Sequence, residues 1–141
     1  TDLNGQPVSL YSAFGQNKLT VVCFWKANFP LSLEEVGQLQ TYVAGPYAAK
    51  GVKVIAINED DPPNVAAAAF QKEKAAYPCL LDPRGSYFAQ VATQELPRTY
   101  LVNSEGKILW FDIKYSALST RRALEQAIQF VLKEGAEPKS E

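Results

Sequence analysis

The chain has no histidine, and only two cysteines, Cys23 and Cys79, among its 141 residues. Without an imidazole, Ser-His and Cys-His nucleophile activation are excluded, as is His-ligated zinc, and two isolated thiols do not make a metal site. No metal and no cofactor is expected. Charge of one sign is nowhere concentrated: Lys and Arg are dispersed in ones and twos and the formal net charge is −1. Neither a nucleic-acid footprint nor a polybasic membrane patch follows from such a distribution. The sequence also lacks any apolar run near the length of a membrane span, and any basic start leading into an apolar signal core, so no membrane insertion of this domain is expected. The opening Thr1-Asp2-Leu3-Asn4-Gly5 reads as the start of a domain in a mature or truncated chain, which leaves room for a removed signal segment or a missing neighbouring domain.

What is present fits a soluble globular protein: 47% hydrophobic and 21% charged residues. A chain of this length forms one core and buries roughly two thirds of its unfolded surface. We assign residues 1–134 to a single domain and 135–141 to a frayed tail. Apolar, β-branched runs recur at Leu19 to Trp25, Val52 to Asn58, Cys79 to Leu81, Thr99 to Val102 and Ile108 to Ile113. The first two are nearly continuous in apolar character, as central strands covered on both faces require.

Between them, Pro30 to Lys50 carries a helical pattern, with Leu33, Val36, Leu39 and Val43 inward, a break near Gly45-Pro46 and a stop at Gly51. Strand, helix, strand with this crossover predicts parallel neighbours. A second helix is predicted from Asp61-Pro62-Pro63-Asn64 to Lys74 with Asp61 as N-cap, a short one over Ser86 to Val91, and a last one from Ser119 to Lys133. Asn103-Ser104-Glu105-Gly106 reads as a hairpin turn.

The segment Phe24-Trp25-Lys26-Ala27-Asn28-Phe29-Pro30-Leu31-Ser32 has the shape of a redox loop, an apolar strand running into a Pro-started helix. A dithiol enzyme places a thiol at the helix start and another three residues on, where the helix N-terminus stabilises a thiolate. Here those places are Phe29 and Ser32.

The opening Asp2-Leu3-Asn4-Gly5-Gln6-Pro7-Val8-Ser9-Leu10, the Val22-Cys23-Phe24-Trp25 strand before the loop, and Leu96-Pro97-Arg98-Thr99-Tyr100-Leu101-Val102 before the hairpin occur in the order and spacing of a known group. Together they resemble the thioredoxin-like TlpA and ResA group, which overlaps the alkyl hydroperoxide reductase/thiol-specific antioxidant family. The resemblance runs from about Leu3 to Leu132. It implies an α/β, thioredoxin-like fold: a central mixed sheet of about five strands, helices on both faces, and an N-terminal extension. It also implies a cis peptide at Pro97 facing the loop, an extracytoplasmic, bacterial location (periplasmic or membrane-anchored through a removed N-terminal segment), and thiol-disulfide chemistry that this chain's Phe29-Pro30-Leu31-Ser32 does not support.

Any remaining redox role falls to the two thiols. Cys23, inside an apolar strand, reads as an inert core thiol. The resemblance implies that the Cys79 strand pairs on the far side of the Val52 to Asn58 strand, which sets the two cysteines about 9.5 Å apart at usual strand spacing, beyond the roughly 7 Å Cα limit for a disulfide. Glu59-Asp60-Asp61 reads as a helix cap plus a solvated turn, and Glu95 as an exposed loop acid. Trp25, Asn28, Phe29, Leu31, Leu96 and Pro97 are the candidate binding residues. Phe29 either projects outward with Leu31 as a partner patch or folds over Pro97 and plugs the groove.

The leading function is therefore a redox-inactive module that binds an extended peptide or protein segment at the Phe29/Pro97 groove. The alternative is a thiol-disulfide oxidoreductase or peroxidase-type antioxidant enzyme that uses Cys79, Cys23 or a missing neighbouring domain. Oligomeric state is not readable from the sequence.

Overall fold

The structure, a computed structural model, describes residues 1–3, 5–83, 98–112 and 117–136. Strands β1 (Leu19–Trp25), β2 (Val52–Glu59), β3 (Cys79–Asp82), β4 (Arg98–Asn103) and β5 (Ile108–Asp112) form one five-stranded sheet in the order β3-β2-β1-β4-β5. β1, β2 and β3 run parallel, while β4 and β5 are antiparallel to their neighbours. β1 lies at the centre and every one of its residues is buried. That is why its sequence shows no alternation.

Side-chain alternation divides the core into two layers. Leu19, Val21, Cys23 and Trp25 of β1 face a layer built from α2 (Pro30–Leu39), α3 (Pro63–Lys72) and α4 (Ala117–Ala136), through Val36, Leu39, Ala66, Phe70, Leu124 and Ile128. Val22 and Phe24 face the other way, with Ile55, Ile57, Tyr100 and Val102, and meet Leu10, Ala13 and Phe14 of the short helix α1 (Leu10–Gly15). Ser9 caps α1 by accepting the Ser12 N–H. The sequence pattern gave no warning of α1, because six residues are too few to establish a period.

The long helix expected over 30–50 is divided. Its α-helical part ends at Leu39, one wider π turn covers Gln40–Ala44, and a 3₁₀ turn covers Ala48–Lys50. Gly51 then reverses the chain at φ +81°, a left-handed conformation that glycine adopts without steric cost. α3 stops at Lys72, short of the expected Lys74, which itself sits at φ +61°. α4 is longer at both ends than expected and takes in residues 135 and 136, which the sequence reading placed in the tail. The N-terminal extension is an edge contact: Asp2 bridges Leu80, and the Thr1 carbonyl accepts the Leu81 N–H at 2.6 Å. The predicted helix over Ser86 to Val91, and Leu96 and Pro97 with the predicted cis bond, lie outside the described residues.

Candidate functional site

β1 ends at Trp25, and residues 26–29 turn into α2, whose first residue is Pro30. Proline suits this place because its fixed φ is helical and the missing N–H would have had no helical partner. Phe29 is the N-cap, with extended φ −109° and ψ 101°, and its side chain supplies no capping oxygen.

No side chain caps the helix; Ser32 instead ties down the loop that precedes it. Its hydroxyl accepts the Lys26 N–H at 3.2 Å and donates to the Lys26 carbonyl at 2.7 Å, with the Phe29 carbonyl competing for the same proton at 2.9 Å. Ser32 is fully buried. The second thiol position is thus occupied by a staple that ties both ends of the loop together.

A second tie comes from β2. The Asp61 carboxylate accepts the Ala27 N–H at 2.7 Å and the Asn58 Nδ2–H at 2.9 Å, and Asn58 Oδ1 accepts the Asp61 N–H at 3.0 Å. This corrects the expectation that Asp61 caps α3. The cap residue is Pro62, with no side-chain bond, because Asp61 is turned back toward the loop by Asp60 in the left-handed region at φ +61°. Asp and Asn are the non-glycine residues that enter that region most readily.

The candidate binding residues separate into two sets. Asn28, Phe29 and Leu31 are exposed around the helix start, with Phe29 39% and Leu31 52% accessible. Trp25 is not on that surface. It is fully buried and lies against Phe70, ring centroids 5.9 Å apart, so it supports the loop from within. Leu96, Pro97 and Glu95 lie outside the described residues, and with them the plugged-groove arrangement.

Beneath the loop is a titratable residue that sequence reasoning passed over. Glu35 is 2% exposed and accepts a hydrogen bond from Thr99 Oγ1 at 2.7 Å. Burial, then the nearby carboxylates of Asp112 and Glu34, raise its pKa from the usual 4.5 to about 7, against the opposing Thr99 bond. The signal was in the spacing: Ser32, Glu35, Val36 and Leu39 form the i, i+3, i+4, i+7 stripe that α2 buries. A glutamate next to Glu34 instead reads as part of a solvated face.

Both thiols are free and buried. Cys23 and Cys79 each pair with Ala56 across the sheet, so they sit two strands apart in one row. Burial, reinforced by the Glu35 charge, pushes the Cys23 thiol well above its ordinary range. Burial likewise pushes Cys79 up to about 12, with the Trp25 indole N–H pulling the other way. Neither sits at a helix N-terminus, so neither gains the stabilisation that a reactive thiolate needs. Among the described residues no group of His, Cys, Asp and Glu could hold a metal ion, and no helix is long and apolar enough to cross a membrane.

Comparison with known proteins agrees with this geometry. The AhpC/TSA family matches residues 1–111. The thiol-disulfide oxidoreductase ResA of Halalkalibacterium halodurans is 24% identical over 108 residues, covering 77% of this chain and 60% of that protein's length. A secreted Mycobacterium tuberculosis disulfide oxidoreductase homologous to E. coli DsbE superposes with a TM-score of 0.76 at 21% identity, over 92% of each chain. The thioredoxin domain of a thiol-disulfide oxidoreductase from Bacteroides vulgatus superposes with a TM-score of 0.72 at 20% identity, over 89% of this chain and 88% of that one. The fold shared with these two structures is thioredoxin-like, with the mixed sheet described above. With its core, loop and family match in agreement, the chain belongs to the AhpC/TSA family as a thioredoxin-like domain of the TlpA/ResA type.

Proposed function

We propose that this domain is a redox-inactive member of a thiol-disulfide oxidoreductase family, acting as a binding module for an extended peptide or protein segment. The observation that carries the reading is the Ser32 hydroxyl, fully engaged with the Lys26 and Phe29 backbone where exchange chemistry needs a thiol. Phe29, at the first position, cannot form a mixed disulfide. The two sulfurs the chain does have are buried, with raised pKa values that keep them as thiols. What the loop offers instead is apolar surface at Phe29 and Leu31 beside the polar Asn28, a composition suited to partner contact. Leu96 and Pro97 are proposed to complete the groove. By kinship with the secreted mycobacterial relative, we place the domain outside the cytoplasm of a bacterium.

Insulin reduction with dithiothreitol, and separately peroxide turnover, test the reading against the Cys23→Ser, Cys79→Ser double variant. Equal, background-level rates for both proteins are expected; cysteine-dependent turnover in either assay overturns it. Pull-down from a native bacterial extract then tests the binding half. A partner recovered by the wild-type bait and lost with Phe29→Ala is expected, whereas equal recovery removes Phe29 as the anchor.

A further inference from the structure

The pole of the sheet opposite the loop, where β1 begins, holds a cluster the proposed function does not use. Lys18, Lys50 and Lys133 surround an open pocket of about 440 Å³ together with Tyr47, Gln129 and Leu132. Three segments are brought together there by backbone geometry. The Lys18 N–H donates to the Gly51 carbonyl at 3.0 Å, and a Cβ on Gly51 would stand 3.1 Å from the Lys18 Cβ, so glycine allows Lys18 to lie beside Lys50. Lys133 comes from the last turn of α4, one turn beyond Gln129.

Of the lining residues, Tyr47 is buried, only 8% exposed. Its hydroxyl accepts from Gln129 Nε2 at 3.0 Å, while its own proton has no acceptor among the described residues. The Lys50 ammonium lies 5.6 Å from the centre of the Tyr47 ring. No described residue lining the pocket is acidic, and the ion pair between Arg121 and Glu125 lies elsewhere. Apart from the Gln129 amide oxygen, an acceptor, the polar side-chain groups lining the site are donors: three lysine ammonium groups and one buried phenol. Clustering like charges without a counter-charge costs stability that an anion would recover.

We propose that this pocket binds a multiply charged oxyanion of the phosphoryl class. Lysine binds phosphate as a point charge, and several such charges around one hydroxyl donor suit a dianion better than a single carboxylate. The room available, with the Tyr47 ring and Leu132 as an apolar wall, also admits a phosphoryl group carried on a small organic body.

The test follows backbone amide shifts of the ¹⁵N-labelled chain during titration with inorganic phosphate, pyrophosphate and a nucleoside monophosphate, each against sodium chloride at equal ionic strength. Saturable shifts centred on Lys18, Tyr47, Lys50, Gly51 and Lys133 in at least one phosphoryl arm are expected. Tighter binding of the nucleoside monophosphate than of inorganic phosphate assigns the site to a phosphorylated metabolite; the reverse order assigns it to free phosphate. The Lys18→Gln, Lys50→Gln double variant should weaken the observed affinity about tenfold. Tyr47→Phe, which keeps the ring and removes the donor, should weaken it by a similar factor of about ten. Lys107→Gln, in the turn between β4 and β5, should change nothing. Shifts reproduced by sodium chloride, no saturation in any phosphoryl arm, or variants that bind like wild type would overturn the proposal.

Discussion

The surface of the loop after β1 and the layer directly beneath it hold complementary halves of a thiol enzyme's equipment. At the surface, Asn28, Phe29 and Leu31 are exposed and none can titrate or attack. Beneath it, Glu35, Cys23 and Cys79 are titratable and all are buried. A thiol enzyme needs both properties in one group, a nucleophile that is accessible and a carboxylate or dipole that helps to ionise it. Here accessibility and reactivity have been separated by one layer of packing, while Ser32 and Asp61 keep the loop's path. Scaffold and chemistry are separable features of a fold, and under the proposed function the first persists here without the second.

The largest effect should come from reuniting the two halves. The double substitution Phe29→Cys, Ser32→Cys puts thiols at the start of α2, where the helix N-terminus stabilises a thiolate. Dithiothreitol-dependent insulin reduction should rise well above the wild-type rate; a rate equal to wild type would mean that the loop, and not only its side chains, has diverged.

Next in size is the buried carboxyl. The folded chain holds the Glu35 proton more tightly than the unfolded one, so its contribution to stability is full below about pH 4.5 and is lost as pH rises toward about 7. Over that window wild type should lose on the order of 3 kcal/mol. Glu35→Gln should flatten that slope in denaturant unfolding curves. An unchanged slope would place the pH dependence on another group.

Asp61→Ala should cost about 2 kcal/mol, because it leaves the Ala27 N–H and the Asn58 amide without an acceptor. Faster hydrogen exchange at Ala27 would identify the loop as the part released. The smallest effect belongs to Phe29→Ala, within about 0.5 kcal/mol for a partly exposed side chain. A larger loss in thermal unfolding would mean that Phe29 supports the fold and does not serve as a free contact.

The parallel pairing of β1 and β2 through a crossover was legible because both are long apolar runs with a single helical pattern between them, whereas the place of β4 beside β1 left no such local sign. The site was legible only in outline. The positions of Phe29 and Ser32 follow from local spacing, whereas the bond from Asp61 to Ala27 joins residues 34 apart and leaves no local trace. At Asp61 itself, the following prolines suggested a cap, but the left-handed turn at Asp60 redirects the carboxylate. Trp25 was assigned to the surface from its place beside the loop, although its parity with Cys23 and Val21 sends it into the helical layer.

Accessibility of the native thiols tests the separation of surface and chemistry most directly. Reaction of the folded chain with 5,5′-dithiobis(2-nitrobenzoic acid) at pH 8 should release no thionitrobenzoate beyond the slow rate set by unfolding, and both cysteines should react promptly in guanidinium chloride. One fast-reacting thiol per native chain would contradict the account.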